Sequence, residues 1–131
     1  MQIHQSAEDY LETILMLSQR MGKVRSIDVV NELGFTKASV SIAMKKLREN
    51  GYIAVDGEGN LTLLEPGREI AERIYSRHRL LTHFFVQLGV DEEVAAEDAC
   101  KAEHILSEQT LKKIREYALL HDAEDSVQRS E

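Results

Sequence analysis

Residues 26–64 read SIDVVNELGFTKASVSIAMKKLRENGYIAVDGEGNLTLL, and a change of hydrophobic period within them decides the fold. Ile27, Val30 and Leu33 recur at helical spacing behind Ser26, a good N-cap, and Gly34 supplies a stop. Thr36 can cap a second helix from Lys37 to about Asn50, burying Val40, Met44 and Leu47, with Gly51 just past its end. After Gly51 the period shortens. Tyr52-Ile53-Ala54-Val55 and Leu61-Thr62-Leu63-Leu64 are β-prone runs flanking Asp56-Gly57-Glu58-Gly59-Asn60, which reads as a hairpin. Short helix, glycine-containing turn, longer helix and hairpin is the order of a winged helix-turn-helix, whose second helix enters the major groove of DNA.

Working outward, Tyr10, Leu11, Ile14, Leu15, Leu17 and Met21 predict a helix from about Ser6 to Met21, stopped by Gly22. Pro66 and Gly67 open a long helix to about Leu88, with Ile70, Ile74, Leu81, Phe84, Phe85 and Leu88 on its apolar face. Asp91-Glu92-Glu93 place acids in the first turn of a helix expected to reach about Leu106. Ser107-Glu108-Gln109-Thr110 start a last helix through Leu119 or Leu120, followed by a polar, frayed tail from His121. The expected fold is mainly α: a winged helix-turn-helix domain over residues 1–65 and an all-helical domain over residues 66–131.

Composition narrows the function classes. A chain of 131 residues, 43% hydrophobic and 30% charged, is globular in character. No apolar run approaches the roughly 18 residues of a membrane span, and Met1-Gln2-Ile3-His4 lacks the start of an export signal, so a soluble cytoplasmic protein is expected. The net charge of -7 taken whole disfavours nucleic acid, yet residues 22–50 carry six bases and three acids, so this segment is +3 and the remainder -10. The single cysteine, Cys100, excludes an internal disulfide and leaves a buried small residue, a reactive thiol or a metal ligand.

Two sets of side chains carry chemistry. On the second helix of the pair, Thr36, Lys37, Ala38, Ser39, Ser41 and Ile42 lie off the buried stripe and can approach base edges, while Lys45 and Lys46 suit phosphate contact. Asp56 and Glu58 make the hairpin tip acidic, which repels phosphate and suggests a structural wing. The other set is metal-competent. Asp9 and Glu12 stand three apart on the first helix, His78 interrupts the apolar face of the long helix, and Cys100, Glu103 and His104 stand at i, i+3 and i+4, which would put thiolate, carboxylate and imidazole on one helical face.

In its first helix, Ala7-Glu8-Asp9-Tyr10-Leu11-Glu12, in Tyr75-Ser76-Arg77-His78-Arg79-Leu80-Leu81 and in Cys100-Lys101-Ala102-Glu103-His104-Ile105-Leu106-Ser107, the chain resembles the metal-dependent regulators that include the diphtheria-toxin repressor and the manganese transport regulator. The resemblance implies a homodimer that binds double-stranded operator DNA, with metal held between the first helix and the later ones by Asp9, Glu12, His78, Cys100, Glu103 and His104. It implies Mn(II) or Fe(II), with Zn(II) or Co(II) as further candidates, and one or two ions per subunit. The manganese-type Asp9 is here combined with the iron-type Cys100. The iron branch's ancillary carboxylate and histidine positions fall on Thr82 and Ala96, so a two-ion cluster would share Glu12 and Glu103. Ile42 stands where relatives carry a polar residue. The short, manganese-type architecture without an added β-barrel is expected, with no membrane and no small organic ligand as partner.

The implied activity is repression of metal-uptake genes, with one ion clamping the two halves into a DNA-competent form. The rival is a winged-helix regulator that binds DNA without metal and senses redox state through Cys100. A small metalloenzyme would need a nucleophile, an open coordination position and a cleft; the sequence shows no nucleophile elbow, no His-Glu-x-x-His and no phosphate-cradling glycine loop, so no enzyme is expected.

Overall fold

The computed structural model describes residues 5–129, with side chains for 6–123. Residues 1–4, on which the missing export signal is read, and residues 130–131 lie outside the described residues. Two compact units are present, the first through Tyr75 and the second from Ser76. The first holds α1 (Gln5–Met21), β1 (Val24–Arg25), α2 (Ser26–Leu33), α3 (Lys37–Glu49), β2 (Ile53–Val55) and β3 (Asn60–Leu63). The helix α4 (Glu65–Gln87) gives its first half to this unit and its second half to the next, which adds α5 (Glu92–Ala102) and α6 (Glu108–Arg129). Mainly α, with a winged helix-turn-helix ahead of an all-helical part, is the expected fold class.

The core of the first unit joins Leu11, Ile14 and Leu15 of α1 to Val40, Met44 and Leu47 of α3 and to Ile53, Leu61 and Leu63 of the hairpin. Thr36 caps α3 as its residue type suggests, its hydroxyl accepting the Ser39 N–H at 3.1 Å. Gly34 ends α2 in the left-handed region at φ 71°, donating to the Val30 carbonyl. The start of α2 departs from expectation. Ser26 is its first helical residue and Arg25 the N-cap, whose N–H is accepted by the Asp28 carboxylate at 2.9 Å. The inward face of α2 is centred on Val29, with Val30 and Leu33 partly buried; Ile27, about 200° round the helix from Val29, is exposed. Met21 is also exposed, at the end of α1.

A third strand joins the hairpin, in the order β1-β3-β2, with Val24 opposite Leu61 and Arg25 opposite Asn60. Arg25 also donates to the Glu58 carbonyl at the hairpin tip. At the base, the Tyr52 carbonyl accepts the Leu64 N–H at 3.0 Å and lies directly over Gly67, where a Cβ would run into it. Gly67 is thus set by close backbone approach as well as by its place behind Pro66.

The second unit packs Leu81, Ala99 and Leu111 with Phe85, Leu106 and Ile114. Leu88, expected on the apolar face of α4, is exposed beyond the end of that helix. The helix α5 stops at Ala102, earlier than expected, because the N–H groups of Ile105 and Leu106 both turn back to the Ala102 carbonyl. Ser107 caps α6, accepting the Thr110 N–H at 3.1 Å. The helix then runs well past Leu120. Its later part is tied to α4 by Asp122, whose two oxygens lie 2.9 and 3.1 Å from His83 Nε2, and by Gln87, which donates to Asp122 at 2.9 Å.

Substituting Gly67→Ala is expected to lower stability by about 1–3 kcal/mol in urea unfolding, since the methyl meets fixed backbone. Gly57→Ala, which meets nothing within 4 Å, should leave the midpoint nearly unchanged.

Candidate nucleic-acid interface and metal centre

Burial of Val40, Met44 and Leu47 rotates the opposite side of α3 outward, so Lys37, Ala38, Ser39, Ser41, Ile42, Lys45 and Lys46 are all exposed, as is the cap residue Thr36. The side chain of Thr36 is engaged: its hydroxyl donates to Ser39 Oγ at 2.8 Å while accepting the Ser39 N–H. Two clefts flank the helix. One of about 290 Å³ is lined by Tyr10, Ser39, Ile42, Ala43 and Lys46 among others, and one of about 310 Å³ by Ser26, Ser41, Ile42, Lys45, Arg48 and Val55. Ser26 and Arg48 belong to this surface and were not among the expected contacts. The signal for Arg48 lay in its spacing, three residues beyond Lys45 and one turn along the same side.

The acidic wing tip organises itself. Asp56 Oδ1 accepts the backbone N–H groups of Glu58 and Asn60, each at 2.9 Å, and Oδ2 accepts the Asn60 amide at 3.0 Å. The Asn60 side chain, then its backbone N–H, hold the Asp56 carboxyl below its ordinary value of 3.8.

Each unit also carries part of the metal-competent set. On α1, Asp9 is partly exposed and Glu12 is buried, 5% accessible, one turn apart. Next to Asp9 the Tyr10 phenol is pushed above its ordinary value by burial and by the Asp9 charge. In the second unit Glu103, the C-cap of α5, is fully buried, with Oε2 3.1 Å from His78 Nδ1 on α4. His104 Nε2 stands 3.4 Å from Oε1 without the alignment of a hydrogen bond, and among the described residues that buried oxygen has no hydrogen-bond partner. Arg77 donates to the Glu103 carbonyl at 3.2 Å and pairs with Glu108, fixing the turn that carries the carboxylate. Sequence reasoning passed over this arginine, although it adjoins His78.

Of the three residues expected on one helical face, only Cys100 lies within α5; Glu103 is its C-cap and His104 follows it. The helix ends between them, Cys100 being exposed on the last turn of α5 while Glu103 and the His104 side chain are buried. That exposure removes the reading of Cys100 as a buried small residue. A carboxylate with one unfilled oxygen between two imidazoles is a donor set that suits a divalent transition ion.

Two family profiles match the chain: the iron-dependent repressor N-terminal DNA-binding domain over residues 2–61, and the iron-dependent repressor metal-binding and dimerisation domain over residues 64–121. The chain belongs to the iron-dependent repressor family. This repressor-family chain is 35% identical over 113 residues to an HTH-type transcriptional regulator of Methanocaldococcus jannaschii, covering 85% of the chain and 90% of that protein. It is 32% identical over 121 residues to the regulator MntR of Bacillus subtilis, covering 92% and 85%. A solved manganese-dependent transcriptional repressor in complex with manganese aligns with a TM-score of 0.77 at 30% identity, over 86% of the chain. The chain spans about half of that solved structure, 52% of it. The resemblance stated from the sequence is therefore correct at family level, and no helix among the described residues is long and apolar enough to cross a membrane.

Because its folded carboxyl titrates below the ordinary value, Asp56 stabilises the hairpin above about pH 4, and that contribution is lost as pH falls through the folded value. Comparing Asp56→Ala with wild type by urea unfolding should show a difference that is constant near neutrality and shrinks below about pH 4.

Proposed function

We propose that the chain is a metal-activated repressor that binds double-stranded operator DNA as a homodimer, in the cytoplasm, and acts on metal-uptake genes. In this reading residues 1–65 read DNA and residues 66–131 bind metal and dimerise. The observation that carries it is the fully buried Glu103 carboxylate between His78 and His104, in a chain whose other unit exposes a capped, basic α3.

The ligands are Asp9, Glu12, His78, Cys100, Glu103 and His104. Support comes from the resemblance of these residue types and their spacing to the family, as stated from the sequence, and from the geometry within each unit. Both Glu12 and Glu103 are buried carboxylates, which cost free energy unless their charge is answered. A bound divalent ion supplies that charge and a fixed coordination shell. Mn(II) and Fe(II) suit the three carboxylates and two imidazoles, and the exposed Cys100 thiolate adds affinity for Fe(II), Co(II) or Zn(II). The relatives named as manganese-dependent or manganese regulators favour Mn(II); in this reading one or two ions bind per subunit.

The switch follows from where the residues sit in the chain. Asp9 and Glu12 belong to the unit that carries α3, and the remaining four ligands to the other unit. A dimer reads two half-sites only when its recognition helices match a spacing near one DNA turn, about 34 Å, or a multiple. In this reading metal binds the DNA-competent state better than the incompetent one; a 100-fold preference shifts the equilibrium by about 2.7 kcal/mol. The metal-free redox alternative through Cys100 is not favoured by the relatives, and the reading is of a regulator and not of an enzyme.

The test is fluorescence anisotropy on promoter fragments with Mn(II), Fe(II), Zn(II) or Co(II), using wild type, Asp9→Ala and His104→Ala. Affinity should rise at least tenfold with metal in the wild type only, a gain of about 1.4 kcal/mol. Binding that ignores both metal and chelator would remove the switch and the ligand set together. In thermal unfolding, Glu103→Gln should lose most of the metal-induced rise in Tm while keeping a cooperative transition without metal; an undiminished rise would exclude Glu103 as a ligand.

A further inference from the structure

An aliphatic side chain stands at the centre of the exposed face of α3. Ile42 is 58% exposed, although it is large enough to gain from burial and its neighbours Val40, Ala43 and Met44 are buried or partly so. It lines both clefts that flank the helix, so it forms the ridge between them. Lys46 borders one cleft, and Lys45 and Arg48 the other. An apolar ridge with bases on both sides matches the cross-section of a major groove, where two phosphate rows flank a floor that carries the thymine 5-methyl groups.

At the start of the helix the polar groups of Thr36 and Ser39 are partly spent on each other, while Ser41 stays exposed beside Ile42. The Thr36 hydroxyl is taken up by Ser39, as donor and as acceptor. Ala38, one turn before Ile42 on the same side, is exposed and extends the apolar strip by a methyl. Ala38 and Ile42 thus form an apolar strip on this face, with Ser39 and Ser41 beside it and cations at the margins.

We propose that Ile42 is the specificity-determining residue of this interface, and that it selects operators by packing against the 5-methyl groups of thymines. The inference rests on the DNA-binding reading above. Removing one buried methyl is expected to cost about fourfold in affinity. Ile42 contributes nothing to the core, so substituting it leaves the fold intact.

The experiment takes the promoter fragment that metal-loaded wild type binds best and replaces each thymine of the protected region, one at a time, with deoxyuridine. This deletes the methyl and leaves the hydrogen-bonding edges of the pair unchanged. Wild type is expected to lose about fourfold at one or two positions per half-site. Ile42→Ala should bind the parent fragment more weakly and show no loss at those positions, and Ile42→Val should fall between. A flat deoxyuridine scan with a fragment that wild type binds specifically overturns the proposal and leaves the DNA-binding reading standing. The same holds if Ile42→Ala discriminates as sharply as wild type. No specific binding by wild type to any fragment, with any of the four metals, overturns both.

Discussion

A carboxylate taken out of water must be answered by hydrogen bonds or by positive charge, and the second unit is arranged around one that is only half answered. Glu103 is buried at the point where α5 gives way to a turn. His78 meets one of its oxygens, Arg77 holds its backbone carbonyl, and His104 approaches the other oxygen without the alignment of a hydrogen bond. A purely structural role would be filled better by an apolar residue of similar volume. The cost is understandable if the site is completed by a cation, because the features that make the carboxylate expensive without metal then make it an effective ligand.

In the first unit the governing constraint is the stripe Val40, Met44 and Leu47. Once these three are packed on α1 and the hairpin, nothing further is needed to point Ala38, Ile42, Lys45 and Lys46 outward, since helical geometry fixes the opposite face. The wing plays a supporting part. Its Asp56 is consumed in closing the turn, and Arg25 is tied to the carbonyl of Glu58, so the tip is held by its own charges.

Features set by local chemistry could be read from the sequence. Thr36 as a cap, Gly34 as a left-handed stop, the α3 stripe and the hairpin around Asp56–Asn60 each depend on a few consecutive residues. What escaped depends on partners distant in the chain. Two residues, Val24 and Arg25, show no period of their own and are a strand only because β3 pairs with them. Ile27 and Val29 are both good core residues, and only the placement of α2 decides that Val29 is the buried one. The helix α6 continues past Leu120 because His83 and Gln87, more than thirty residues earlier, hold Asp122. The candidate ligands were legible as residue types at telling spacings. The end of α5 between Cys100 and Glu103 was not, because Ala102 and its neighbours have no residue that marks a stop.

Charge ties the two sites together. The surplus of acids lies outside residues 22–50, and Asp9, Glu12 and Glu103 account for part of it. In the proposed switch, the negative charge of these carboxylates works against the basic face of α3 until a cation offsets it, at distances where salt screens incompletely. Neutralising them removes that opposition irrespective of any change in shape. In the proposed switch, the sensitivity of DNA affinity to metal has an electrostatic component, which weakens as ionic strength rises, and a positional component set by half-site spacing, which does not. Separating the two by salt titration would show how much of the switch is field and how much is geometry.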